Sequence, residues 1–180
     1  MKYHLIRVLI LLLSIPVMVS AQFEEGTEVF KKTIYTSTVE AGNYTTLLSA
    51  LEATEMVGFL DGDAPFTIFA PSDLAFSKLS KDKISHLLLP ENRQELQQMV
   101  TYFMVAGTLT ASKIMRAMDK GNGTASFTTL QGKKIKASME GIDIVLSDGF
   151  GNKARITVAD GDQCNGVLHT IDSVILPKPL

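Results

Sequence analysis

The sequence has few of the residues that build disulfide frameworks, metal centres or aromatic binding platforms. Its 180 residues include one cysteine, three histidines and no tryptophan, and aromatic residues make up 7%. One cysteine excludes an internal disulfide and a cysteine-rich zinc module. With 6 prolines and 13 glycines, the chain is not a collagen-like or low-complexity polymer either. Its length predicts one globular domain.

An excess of charge of one sign is also missing. Lysine and arginine number 17 against 19 acidic residues, which gives a net charge of -2. This balance argues against a dedicated nucleic-acid-binding protein, because such proteins usually carry a strongly basic face. A small basic cluster is present at Lys133, Lys134 and Lys136. We interpret it as a solvated strand edge that discourages aggregation.

The long hydrophobic run lies at the N-terminus. Residues 1–21 contain the basic Lys2 and Arg7, an apolar run, and small side chains at Val19 and Ala21. This order is typical of a secretory signal peptide. The apolar run is shorter than the roughly 20 residues that cross a bilayer. We predict a signal peptide over 1–21, a polar segment over 22–32 and a secreted domain over 33–178, without a stable membrane span after cleavage.

Export changes what the lone Cys164 can do. In an oxidising compartment it either pairs with another chain or is buried and inert. Burial is favoured, because a free cysteine behaves as a small hydrophobe. Asn43 and Asn122 begin the glycosylation sequons NYT and NGT, which are used only in a eukaryotic secretory path. The sequence fits either an extracellular or a periplasmic destination.

The first half of the chain has mainly helical periodicity. After a polar stretch over 22–42, a helix capped by Thr45 or Thr46 is predicted to continue to about Leu60. Ser72 and Thr110 are predicted to cap two further helices. A short helix is expected over 82–89.

The strongest helical pattern follows Asn92. Asn92 and Glu95 have the spacing of a capping box, although Asn replaces the usual Ser or Thr. One apolar stripe then continues at helical spacing through Leu96, Met99, Val100, Phe103 and Met104. We expect this helix to end at Gly107.

Strand periodicity appears in two places. The run over 66–69 is rich in β-formers and is ended by Pro71. From about Ala125 onward the period changes to two, with Ile135, Ala137 and Met139 alternating with lysines. Short antiparallel strands at this spacing imply a sheet or sandwich rather than βαβ units. Helices first and strands later predict an α+β fold.

Candidate catalytic and metal-binding groups lie apart from one another. His86 has no second histidine at i+4 and no nearby cysteine, so metal-ligand spacing is absent. His169 alternates with apolar residues, which favours a hydrogen-bonded core histidine over a catalytic one. Two pairs of acids flank a glycine without the terminal Glu of a calcium loop, which favours turns: Asp61 with Asp63, and Asp160 with Asp162.

A nucleophilic triad of Ser72, Asp73 and His169 is not favoured. Ser72 lacks the glycine-flanked elbow of an α/β-hydrolase, and helix capping explains the same residue. Phosphate-cradling glycine loops are missing as well. The sequence therefore predicts no enzyme activity, no metal and no cofactor.

Two segments resemble the signature motifs of the fasciclin-type domain family. They are PFTIFAPSDLAFSKL, from Pro65 to Leu79, and NGVLHTIDSVILP, from Asn165 to Pro177. Three further segments resemble parts of that family in the same order: TTLLSALEATEMVGFL, TYFMVAGTLTASKI and QGKKIKAS. The resemblance covers about residues 33 to 178.

This resemblance implies a fold and a set of structural residues. The fold is a wedge-like β-sandwich with several helices packed against it, mainly from the N-terminal half. The first motif carries Thr67, Phe69, Ala70, Pro71 and Phe76, and the second carries Asn165, Gly166, His169 and Asp172. These residues are expected to be chiefly structural.

One position departs from the family pattern. The central segment usually pairs tyrosine with histidine, a pair linked to receptor binding in animal members, but here Phe103 follows Tyr102. Tyr102 lies off the apolar stripe, so it is either exposed and available to a partner or buried with a hydrogen-bonded hydroxyl. Ala106 also replaces a frequent proline before Gly107.

The resemblance implies a secreted, non-catalytic adhesion or interaction module that binds an extracellular or surface protein or glycan. A small-molecule or glycan carrier with a cleft between helices and sheet is the alternative, and an enzyme is a third. No nucleic-acid partner is expected. The oligomeric state stays open.

Overall fold

The computed structural model describes residues 31–62 and 64–177. The predicted signal peptide over 1–21 and most of the polar segment over 22–32 lie outside the described residues. Within the described part, helices and strands are mixed, so the prediction of a mixed fold is confirmed. The helices found in these residues are too short or too polar to cross a membrane.

Helices dominate the first two thirds of the described chain. Six of the seven α-helices in the described residues precede Phe103, and a 3-10 helix covers Pro90–Asn92. The α-helices are α1 Ile34–Ala41, α2 Thr45–Ala53, α3 Val57–Asp61, α4 Asp73–Phe76, α5 Lys81–Leu87, α6 Arg93–Tyr102 and α7 Ala111–Lys120.

Seven strands of the described residues form one hydrogen-bonded sheet in the order β2-β1-β7-β6-β5-β4-β3. The strands are β1 Phe66–Pro71, β2 Met104–Ala106, β3 Thr124–Thr128, β4 Lys134–Glu140, β5 Asp143–Ser147, β6 Lys153–Gln163 and β7 Gly166–Ile171.

The sheet is nearly closed on itself. Val105 of β2 forms an isolated antiparallel bridge with Thr129, just after β3, so the two ends of the strand order meet. The long strand β6 pairs with both β5 and β7 and joins the two halves of the sheet. The strand pairing is continuous and does not divide the strands into two separate sheets. The two-layer sandwich and the wedge shape therefore stay predictions.

Local backbone chemistry shifts several helix boundaries from the predicted ones. Helix α1 lies in the stretch that the sequence marked only as polar, and the Thr33 side chain caps it by accepting a hydrogen bond from Thr36 N. The predicted helix over 45–60 is divided, because Glu55 has a left-handed backbone with φ of 58°. Helix α6 ends at Tyr102, so Met104 belongs to β2.

Four helix caps were predicted, and two of them are confirmed. The cap by Thr45 or Thr46 is wrong, because both residues lie inside α2 and the helix has no side-chain cap bond from its N-cap residue. The Ser72 hydroxyl accepts from Ala75 N, and the Thr110 hydroxyl accepts from Lys113 N. The capping box at Asn92 is wrong, because its side chain makes no cap bond to α6. Its amide instead donates to the carbonyl oxygen of His86 at 2.6 Å.

The lysine cluster does not lie on a sheet edge as predicted. Strand β4, which carries Lys134 and Lys136, has β3 on one side and β5 on the other. The alternation itself is correct, since Ile135 and Ala137 are buried while the two lysines are exposed. Protection of an unpaired edge therefore does not explain these lysines.

The predicted burial of Cys164 is also wrong. Cys164 is a free, exposed cysteine between β6 and β7. Its N–H donates to the carbonyl oxygen of Lys32 at 3.0 Å. The next residue, Asn165, takes the buried position and is only 5% exposed.

Candidate functional site

The two motifs become neighbouring strands in the centre of the fold. Strand β1 pairs in parallel with β7, and the register sets Phe66 opposite Gly166 and Phe69 opposite His169. Every residue of both strands is buried. A parallel pair buried on both faces reads as a continuous apolar run rather than an alternating one, which matches FTIFAP and GVLHTI.

Thr67 connects β1 to the loop that follows β2. Its hydroxyl donates to the carbonyl oxygen of Gly107 and accepts from Leu109 N, both at 2.7 Å. The residue is fully buried. A hydroxyl has one donor and two acceptor positions. The bond to Gly107 uses the only proton, and the bond from Leu109 uses one acceptor position.

His169 is held by backbone groups on both ring nitrogens. Nε2 lies 2.7 Å from the carbonyl oxygen of Leu109, and Nδ1 accepts from Asp160 N at 3.2 Å. This pattern requires a neutral ring with its proton on Nε2. The ring stacks on Phe69 with centroids 5.5 Å apart. Burial lowers the pKa of His169, against smaller opposing effects from the Leu109 carbonyl and the Asp160 charge.

We expect His169 to make the folded state less stable as the pH is lowered. Its pKa is lower in the folded state, so the unfolded chain binds the proton more tightly and stability is lost from about pH 6.5 downward. Urea unfolding at pH 7.5 and pH 5 measures the loss. In His169→Gln the loss between these values shrinks, and an unchanged pH dependence would contradict the assignment.

Asn165 joins three separate parts of the chain. Its Oδ1 accepts from Ile34 N at 2.9 Å, which anchors the first turn of α1. Its Nδ2 donates to the carbonyl oxygens of Leu60 and Gly62 at 2.8 and 2.9 Å, which anchors the end of α3. One buried amide thus links both helices to the start of β7.

Asp172 lies at the other end of β7 and is partly exposed. Its Oδ1 accepts from Arg155 N at 2.8 Å, and Oδ2 is 3.5 Å from Lys78 Nζ. Partial burial raises the pKa of Asp172, but hydrogen bonds from Arg155, Ser173 and Lys78 outweigh it and leave the pKa below its ordinary value.

Three first-motif residues pack into the core: Ala70, Pro71 and Phe76.

The side chains of Ser72, Asp73 and His169 each bond to different groups. The Asp73 carboxylate accepts from the N–H groups of Thr45 and Thr46, at 3.0 and 2.9 Å, and so caps α2 from outside. Desolvation raises the pKa of Asp73, but these hydrogen bonds outweigh it and leave the pKa lowered. Sequence reasoning missed this long-range cap.

Of the two states left open for Tyr102, the structure shows the buried one. Tyr102 is 1% exposed, and its hydroxyl donates to the carbonyl oxygen of Lys134 at 3.1 Å. Burial, together with the charge of Asp148, raises the pKa of Tyr102 to about 12. The binding role suggested for Tyr102 is therefore corrected, because a partner cannot reach this side chain.

An apolar groove beside β1 and β2 was not anticipated. Its volume is about 380 Å³. Phe59 and Leu130, which lie on its wall, are 55% and 42% exposed. The lining comes from three separate parts of the chain: Gly58, Phe59, Gly62, Ala64, Pro65 and Phe66, then Ala106, then Leu130. Sequence reasoning missed this groove, because the exposure of Phe59 depends on which segments pack around it.

Comparisons with known proteins agree with the motif geometry. The fasciclin domain model matches residues 42–177. Protein sll1483 of Synechocystis is 36% identical over 143 residues, covering 77% of this chain and 71% of the relative. Mouse stabilin-1 is 34% identical over 118 residues, which are 66% of this chain but 4% of that protein.

A solved structure supports the fold. The FAS1 domain pair from the insect cell adhesion molecule fasciclin I superposes with a TM-score of 0.50 at 23% identity, covering 81% of this chain and 44% of that chain. At this identity the likeness concerns the fold alone. Together with the match to residues 42–177, these findings show that the chain belongs to the fasciclin domain family.

Proposed function

We propose that this protein is a secreted, non-catalytic interaction module that binds an extracellular protein or glycan through its exposed surface. The observation that carries the proposal is that the polar side chains of the two motifs are buried and hydrogen-bonded within the fold. Thr67, Asn165 and His169 are buried, and backbone groups occupy their hydrogen-bonding atoms. Groups held in this way support the fold, which leaves recognition to the surface.

Family membership supports the same proposal, since the motifs that resemble the fasciclin-type domain also imply adhesion and partner binding. The proposal includes a signal peptide over 1–21 and a domain over 33–178. N-terminal sequencing of the exported protein tests the first point. Gln22 is the expected first residue, and retention of Met1 would contradict it.

Retention of extracellular material is the direct test of function. The exported chain is immobilised and exposed to matrix extracts and to a glycan array, and we expect a surface protein or glycan to be retained. Tyr102→Phe serves as a control, because it removes only a buried hydroxyl and should leave retention unchanged. Turnover of simple esters or glycosides without any retention would contradict the proposal.

A carrier of small apolar molecules is the second candidate, and the groove beside Phe59 favours it. Ligand pockets are largely apolar and span roughly 300 to 1,000 Å³, and this groove has about 380 Å³. A fluorescent fatty-acid analogue provides the test. Binding that is lost in Phe59→Ser would support the carrier. If the analogue does not bind the native protein, the carrier proposal is contradicted and the interaction module is the one remaining candidate.

A further inference from the structure

The sheet has an outer face whose cations are not explained by folding. We define this outer face as the exposed side of β3 to β6, together with the half-buried residues that pair with it. Its hydroxyl and basic side chains are Thr124, Ser126, Thr128, Lys134, Lys136, Ser138, Ser147, Lys153 and Arg155. Residues that pair directly across strands share one side of a sheet.

The strand register sets hydroxyls beside cations. Ser126, Lys136, Ser147 and Lys153 pair in succession across β3, β4, β5 and β6, at about 4.8 Å between strands. Thr128 pairs with Lys134 in a parallel row, about 7 Å further along β4. Each of the two β4 lysines therefore has a hydroxyl neighbour on the adjacent strand.

Two of the four cations on this face, Lys134 and Lys136, have no acidic partner among the described residues. Lys153 forms an ion pair with Glu140, and Arg155 lies 3.3 Å from Asp143. In the described part of the chain, the ammonium groups of Lys134 and Lys136 have no ion-pair or hydrogen-bond partner. The outer face is thus locally positive on a chain whose net charge is -2.

We propose that this outer face binds a carboxylated polysaccharide, one built from uronic acid units. Lys134 and Lys136 would contact successive carboxylates, while Ser126, Ser147 and Thr128 would bond to sugar hydroxyls. The inference rests on the proposed function and narrows the glycan partner to one class. Charge complementarity carries it, because two free cations among neutral hydroxyls match a polymer with a low density of negative charge.

Two other polyanions fit this face less well. Single-stranded nucleic acids need aromatic side chains on which bases stack. The only aromatic residue in the described strands β3 to β6 is Phe127, which pairs with the buried Ile135 on the opposite side of the sheet. A heavily sulfated glycan would require more cations than the two that are free.

Titration calorimetry with oligogalacturonate of defined length tests the proposal. We expect binding that weakens as salt rises, because the contacts are exposed charges. Lys134→Gln/Lys136→Gln should bind roughly tenfold more weakly. Lys81→Gln/Lys83→Gln on α5 makes the same change in net charge and should leave affinity unchanged. Neutral dextran should not bind.

A second pair of substitutions separates recognition from simple charge attraction. Ser126→Ala/Ser147→Ala keeps the net charge and should still weaken oligogalacturonate binding. Unchanged affinity in that variant, or equal weakening in both lysine pairs, would overturn the proposal. Tighter binding of dextran sulfate or of a single-stranded oligonucleotide would also overturn it. If matrix extracts yield a partner but oligogalacturonate does not bind, this inference fails alone; if nothing is retained, the proposed function fails as well.

Discussion

Replacing Gly166 with alanine is expected to unfold the domain or to destabilise it by more than about 4 kcal/mol, a loss that few single substitutions reach. An added Cβ would lie 2.0 Å from the carbonyl oxygen of Phe66 and 3.1 Å from Ile34 Cδ1. The first of these atoms is backbone of the adjacent parallel strand, so relief requires β1 and β7 to separate. The φ of 154° is also one that side chains rarely adopt.

Thermal unfolding followed by circular dichroism measures this effect. For a chain of this size each kcal/mol lowers the melting temperature by roughly 2–4 °C, so a drop of about 10 °C or more is expected. Gly58→Ala is the matched control. Nothing lies within 4 Å of its added Cβ, and alanine is the better residue in a helix. A Gly166→Ala protein that melts like the native one would contradict the packing described here.

Asn165→Ala is expected to be the second most damaging change, at about 3–5 kcal/mol. It leaves the Ile34 N–H and the carbonyl oxygens of Leu60 and Gly62 without their side-chain partner. An unsatisfied buried polar group costs about 1–3 kcal/mol. Because the three groups belong to different segments, α1 and the end of α3 lose their attachment to β7 together.

Urea unfolding provides the measurement, with Asn92→Ala as the control. The Asn92 amide also donates to a backbone carbonyl, that of His86, but it does so at an exposed position. We therefore expect the control to change the free energy of unfolding by less than about 1 kcal/mol. Equal losses in the two variants would show that burial of the Asn165 amide contributes nothing.

Predictions from the sequence were accurate where one short segment contained all the necessary contacts. The caps at Ser72 and Thr110 depend on a hydroxyl three residues from its donor. Within α6, Leu96, Met99 and Val100 of the predicted stripe lie one turn apart and are buried, whereas Phe103 and Met104 lie beyond the end of the helix. Asn92 shows the limit of this reasoning. Its sequence spacing fits a capping box, but its side chain bonds to the carbonyl oxygen of His86 and does not cap α6.

The predictions that were wrong concern positions whose surroundings come from elsewhere in the chain. Cys164 was expected inside because a thiol is apolar, yet the adjacent Asn165 takes the interior place with three hydrogen bonds. The β4 lysines were placed on an edge because a single strand does not reveal its neighbours. Asp73 does begin its own helix, α4, but its carboxylate also caps α2, a contact that no local pattern reveals.

The sequence by itself determined the mixed helical and stranded character, the family and the scarcity of catalytic and metal-binding groups. The mixed character and the scarcity follow from composition and from periods of two and 3.6 residues, which the chain carries locally. The family was indicated by the resemblance of its two motifs. Only the tertiary structure decided that Tyr102 is buried, that the groove beside Phe59 exists and that Lys134 and Lys136 lie on an inner strand beside hydroxyl side chains. Each of these depends on which other strand or helix lies alongside. The pairing of β1 with β7 across about 100 residues is the clearest case of a neighbour that no local pattern reveals.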